Sequence, residues 1–115
     1  MGVIRILFLA DTHLGYDYAF RPRIERRRRG PEFFANFERA LQPALQGQVD
    51  GVVHGGDLLY RSKVPARLVD MAFEPLKAVA DRGVPVYLVP GNHEYRCPFF
   101  RAFPVSAKVI LINRV

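Results

Sequence analysis

Apolar residues along this chain gather into four short runs and two longer periodic stretches. Val3 to Ala10 is branched and almost continuously apolar, Gly51 to His54 is shorter, and Val84 to Pro90 and Lys108 to Val115 follow. Runs of this length read as strands, and the unbroken apolarity of the first fits a strand covered on both faces, as in a parallel sheet. Arg5 interrupts that run, which predicts a place near the strand's start where its head reaches water. After Pro31, the residues Phe33, Phe34, Phe37, Leu41, Ala44 and Leu45 recur at helical spacing, with Pro43 expected to kink or shorten the helix and Gly47 to stop it. Leu68, Val69, Ala72, Phe73, Leu76, Val79 and Ala80 mark one face of a second helix from about Pro65 to Arg82, with a bend expected at Pro75 and Gly83 just past its end. The order βαβαββ describes one α/β unit without internal repeat, linker or domain boundary, its crossovers expected to be right-handed.

A polar turn follows each of the first three strands: Asp11-Thr12-His13, then Gly55-Gly56-Asp57, then Gly91-Asn92-His93-Glu94. If the strands are parallel, these turns share the carboxyl edge of the sheet, where open α/β sheets bind ligands. Taken singly, each is an ordinary turn: Asp11 ends a strand, His13 opens a loop, and the glycines bend the backbone. Taken together they collect carboxylates, imidazoles and an amide, hard to borderline donors suited to manganese, iron or zinc. Asp57, on the middle turn, is placed to bridge two ions. A pair of divalent ions clamps a phosphoryl group and activates water for in-line displacement. His93, beside the candidate ligand Asn92, is the natural proton donor to a leaving group.

Charge sharpens this picture. The chain has 115 residues, half of them apolar, and a formal net charge of +6. Arg21, Arg23, Arg26, Arg27, Arg28 and Arg29 crowd the segment between the first turn and the first helix. Such a cluster suits a polyanion, and Tyr16, Tyr18 and Phe20 beside it offer faces for unpaired bases. The competing reading is a mobile, solvated loop. Phe99, Phe100 and Phe103 are expected to pack rather than bind. Cys97 is the single cysteine, so no internal disulfide forms and a reducing cytoplasm is expected. No window approaches the roughly 18 apolar residues of a membrane helix, and no cleavage-site pattern follows the first apolar run.

The series Asp11-x-His13, Gly56-Asp57 and Gly91-Asn92-His93-Glu94 resembles the first three motifs of the calcineurin-like metallophosphoesterases. The flanking residues Ala10 to Tyr16, the arginine-bearing loop with Phe33 to Phe37, and His54-Gly55-Gly56-Asp57-Leu58-Leu59 look like the Mre11 and SbcD group of DNA repair nucleases. The resemblance implies the amino-terminal βαβαββ part of that family's layered α/β sandwich, with a largely parallel sheet. It implies that Asp11 and His13 ligate one metal, Asp57 bridges two, Asn92 ligates the second, and His93 protonates or stabilises the leaving group. It further implies manganese as the usual ion, DNA as substrate and an ATPase partner. Glu94 stands where many relatives carry aspartate.

The family completes its site with three more histidines in a second half of the fold, whereas this chain has only His13, His54 and His93. Residues 1–115 therefore read as the amino-terminal portion of the domain, weakly active or inactive alone. His54, on a strand before the glycine pair, is expected to support the site rather than ligate. Because the family's sheet packs on a second sheet, the three long apolar runs should carry uncovered surface prone to self-association. Two other readings stay open. One is a phosphomonoesterase or cyclic nucleotide phosphodiesterase, and the other a non-catalytic module that binds DNA or a partner.

Overall fold

A computed structural model describes residues 2–20, 26–91 and 109–111. Its four strands are β1 (Ile6–Leu9), β2 (Gly51–His54), β3 (Val86–Leu88) and β4 (Val109–Leu111). They form one sheet in the order β1-β2-β3-β4, every neighbouring pair parallel. Parallel neighbours require crossovers, and helices supply two of them. α1 (Gly30–Ala40) and α2 (Gln42–Leu45) lie between β1 and β2, and α3 (Ala66–Asp81) lies between β2 and β3. The carboxyl ends of the strands consequently point to one edge.

Proline decides the helix boundaries. Pro43 has no N–H to donate and its ring crowds the carbonyl four residues back, so the expected helix breaks at Leu41, and Pro43 sits in the first turn of the short α2. Gly47, at φ 73°, ends α2 and gives its N–H to the Ala44 carbonyl. α3 opens after Pro65, continues through Pro75, and closes at Gly83, whose φ is 90°. Its buried residues are the seven that the periodicity marks.

Register sorts the sheet into two faces. Leu7 pairs with Val52 and Val52 with Val86, while Leu9 pairs with His54 and His54 with Leu88. This face meets the helices: Phe34, Phe37, Leu41, Leu68, Phe73 and Leu76 join Val52, Val86 and Leu88 in one core, with Leu7 and Leu9 packed against it. The opposite face carries Ile6, Phe8, Val53 and Tyr87. There the expectation that β1 is covered on both sides fails, because Ile6 is 52% and Phe8 65% exposed. The described helices cover the other face, and β1 is an edge strand. Uncovered apolar surface is thus found on the first run, where Val3 and Ile4 are exposed as well. Arg5 behaves as the sequence predicts, exposed, with its backbone exchanging hydrogen bonds with Asp50 at 2.8 and 2.7 Å.

One polar side chain lies inside the core among the described residues. His54 is fully buried, and burial pulls its pKa from 6.5 to about 4 against the opposing pull of the Asp57 charge. The folded state therefore holds a neutral ring over a pH range in which the unfolded chain takes up a proton. The native state binds fewer protons below pH 6.5, so stability falls as pH drops from 6.5 to about 4. A shift of this size corresponds to about 3 kcal/mol at the acid end. Urea titrations across this window should show that decline, and the ring resonances of His54 should stay neutral at pH 5. A His54 ring titrating near 6.5 would contradict the assignment.

Candidate metal centre

The site is made where β1 and β2 run out. Beyond the strand ends their two loops keep hydrogen-bonding to each other. The Gly55 N–H donates to Leu9 at 2.7 Å, Asp11 to Gly56 at 3.0 Å, His13 to Asp57 at 3.1 Å and Leu14 to Leu58 at 2.8 Å, each to the carbonyl oxygen. Tyr60 returns the bond to Leu14 at 3.1 Å, and Leu14 and Leu59 form an isolated parallel bridge. Leu14, Leu58 and Leu59 are fully buried and anchor both loops in the core.

The zipped loops hold an unusual backbone. Asp11, His13 and Asp57 adopt left-handed φ values of 55°, 46° and 54°. For residues with a Cβ this conformation costs about 1 kcal/mol or more each, although Asp and His accept it more readily than most. Three such residues converge here, and their ligand atoms lie within 4.8 Å of one another. Strain gathered at one point and held by a rigid frame is the pattern of a functional site.

Whether a cation fits can be read from the donors. Asp57 Oδ1 is buried and has no hydrogen-bond partner, a costly state for a carboxylate oxygen unless a cation meets it. The set of two carboxylates and an imidazole, without thiolate, suits a hard to borderline divalent ion. Gly91, at the start of the third turn, reaches the same place. A Cβ at Gly91 would fall on the Asp57 carboxylate and backbone, so glycine is required where this turn meets the second. Asn92, the expected ligand of a second ion, His93, the expected proton donor, and Glu94 lie outside the described residues, as do Cys97, Phe99, Phe100 and Phe103.

His54 is not a ligand in this arrangement, in line with the sequence reading. Its Nδ1 accepts the Gly56 N–H at 3.2 Å and its Nε2 lies 3.0 Å from Thr12 Oγ1, which also bonds the Leu58 carbonyl at 3.1 Å. Thr12 is a residue that the sequence reading passed over, since a threonine between two candidate ligands looks like filler.

The arginine segment is tied down by two acids. The Asp17 carboxylate meets the Arg26 guanidinium at 2.7 Å, the Arg28 guanidinium at 3.3 Å and the Arg29 N–H at 2.9 Å. Led by the Arg29 N–H and then Arg26, these partners hold its pKa down at about 2. Glu32 pairs with Arg27 and Arg29, both at 3.2 Å. Arg28 is largely enclosed, whereas Arg26, Arg27 and Arg29 keep exposed guanidiniums. Gly30 locks the junction, because a Cβ there would strike the Asp17 and Tyr18 backbone. The described part of the segment, Arg26 to Arg29, is thus a braced surface rather than a solvated coil. Arg21 and Arg23 lie outside the described residues.

Beside the ligand cluster opens a cleft of about 480 Å³ lined by His13, Tyr16, Phe33 and Tyr60. Tyr16 meets Phe33 and Tyr60 edge-on at ring separations of 5.6 and 6.3 Å, and the Arg61 guanidinium lies over Tyr60 at 4.9 Å. Tyr60 and Arg61 were not singled out from sequence, where a lone aromatic in a loop gives no signal. Tyr18 and Phe20 pack against each other at 5.1 Å, and Tyr18 against Phe34 at 5.5 Å, so Tyr18 belongs to the loop's own packing.

Known proteins are similar to this chain in sequence. The DNA double-strand break repair protein Mre11 of Haloferax volcanii is 41% identical over 92 residues, covering 78% of this chain and 19% of its own length. Its namesake from Aeropyrum pernix is 37% identical over 91 residues, covering 78% of this chain and 21% of the relative. That from Methanosarcina acetivorans is 42% identical over 96 residues, covering 79% and 14% respectively. The chain spans about a seventh to a fifth of the length of these relatives. The calcineurin-like phosphoesterase family matches it from residue 4 to residue 113. With Asp11, His13 and Asp57 of the first two turns gathered at one sheet edge and nearly all of its residues matched, this chain belongs to the calcineurin-like phosphoesterase family.

Proposed function

We propose that this chain contributes the first part of the active site of a metal-dependent nuclease of the DNA repair type, hydrolysing phosphodiester bonds. The observations that carry the reading are the convergence of Asp11, His13 and Asp57 and the buried, unpartnered Oδ1 of Asp57. Similarity to proteins named for DNA double-strand break repair supports the substrate class. Asp11 and His13 would hold one divalent ion, Asp57 would bridge to a second, and Asn92 would help hold that one, with manganese the ion favoured. When bound, such ions polarise the phosphoryl oxygens and offset charge in the transition state. His93 is proposed to deliver a proton to the departing oxygen.

The chain's own residues do the rest. The paired loops and left-handed backbone fix the donors before substrate arrives, so little reorganisation is left for the reaction. Arg26, Arg27 and Arg29 present guanidiniums to a phosphate backbone, while Arg28 holds the segment in shape through Asp17. This braced cationic surface favours a polyanion over a small phosphate ester as the substrate.

Two outcomes are expected. Asparagine tolerates a positive φ, so Asp57→Asn should fold normally while manganese affinity in calorimetry drops at least about tenfold and manganese-dependent DNA cleavage by the complete protein disappears. Retained affinity and cleavage would refute the reading. Replacing Arg27 and Arg29 with alanine should flatten the slope of log affinity for DNA against log salt by about 2, near 0.9 for each phosphate no longer neutralised. A slope that stays put would remove these arginines from the DNA surface.

A further inference from the structure

We propose that His54 and Thr12 are positioning residues, a hydrogen-bonded clasp that sets the spacing between the two ligand-bearing turns. The proposal rests on the reading of Asp11, His13 and Asp57 as metal ligands. Its geometry allows one arrangement of protons. The Gly56 N–H can only donate, so His54 Nδ1 must accept from it, at 3.2 Å. A neutral ring accepting at Nδ1 carries its proton on Nε2, which then donates to Thr12 Oγ1 at 3.0 Å. Having accepted there, the Thr12 hydroxyl spends its single hydrogen on the Leu58 carbonyl at 3.1 Å. That carbonyl also accepts the Leu14 N–H at 2.8 Å, which fills both of its lone pairs. The chain runs from a fixed donor to a fixed acceptor and has no second polarity.

Its placement gives it a purpose. Thr12 stands between Asp11 and His13, and Gly56 and Leu58 flank Asp57, so each candidate ligand is covalently next to a clasp member. The His54 ring is fully buried and meets the Phe37 ring edge-on at 6.4 Å, so helix α1 steadies it from behind. Backbone hydrogen bonds pin the first loop at the Asp11 and His13 amides, on either side of Thr12. The side-chain clasp adds a tie at Thr12 itself, between those two points. Groups that orient ligands in this way change metal affinity by about 10- to 100-fold when removed.

The test compares wild type with Thr12→Val, which keeps the shape and deletes the hydroxyl, and Thr12→Ser, which restores it. In the wild type, ring nitrogen NMR at pH 7 should show His54 protonated at Nε2. In the metal-free protein, Thr12→Val should speed amide hydrogen exchange at Asp11 and His13 at least about fivefold, and manganese binding by calorimetry should weaken about tenfold, with Thr12→Ser near wild type in both. A His54 proton on Nδ1, or exchange and affinity unchanged in Thr12→Val, would overturn the clasp. If Thr12→Val does not fold, the tautomer and Thr12→Ser decide: affinity and exchange near wild type together with the Nε2 proton support the clasp, and Thr12→Ser behaving as a disrupted variant overturns it. Absence of manganese binding in the wild type would instead count against the metal centre, with the exchange and tautomer readouts still judging the clasp.

Discussion

Everything at the candidate site depends on the pairing of β1 and β2 continuing past the ends of the strands. Parallel strands normally part where their loops begin, one toward each crossover. Here the backbones stay paired from Leu9 and Gly55 to Leu14 and Tyr60. That extension brings Asp11 and His13, far from Asp57 in sequence, onto one patch, and it offsets the cost of three left-handed residues. The three buried leucines are as much part of the site as its polar groups, since they tie the loops to the core.

Much of this was legible in the sequence, for reasons that differ by element. Each strand was visible as an apolar run, and β2 was legible to its bounds because Asp50 and the Gly55-Gly56 pair delimit it. α3 was equally plain, its seven core positions fitting a single face. The turns could be assigned to a common edge because parallel order follows from alternating strands and helices. β1 misled, because an apolar run says that a residue type tolerates burial, not that something lies over it. Phe8 and Ile6 face away from the helices, and their composition alone gives no sign of it.

Side-chain partnerships were less legible. Asp17, an acid among arginines, turned out to organise Arg26, Arg28 and the Arg29 backbone, a role that spacing does not encode because the loop has no period. Tyr60 entered the cleft beside His13 only through the Leu14–Leu59 bridge, which joins two loops far apart in sequence. His54 could be set aside as a ligand from its position on a strand, yet its bond to Thr12 required the register Leu9↔His54 to be known. Local patterns therefore fixed which groups are present, and the loop pairing fixed which of them meet.

The central claim is that the patch made by Asp11, His13 and Asp57 holds a divalent ion. Crystals of the protein soaked in manganese and measured for anomalous scattering test it most directly. The account predicts a peak in contact with Asp57 Oδ1, the His13 ring and the Asp11 carboxylate. A map without that peak, in which Asp57 Oδ1 instead accepts a hydrogen bond from a neighbouring protein group, would contradict it.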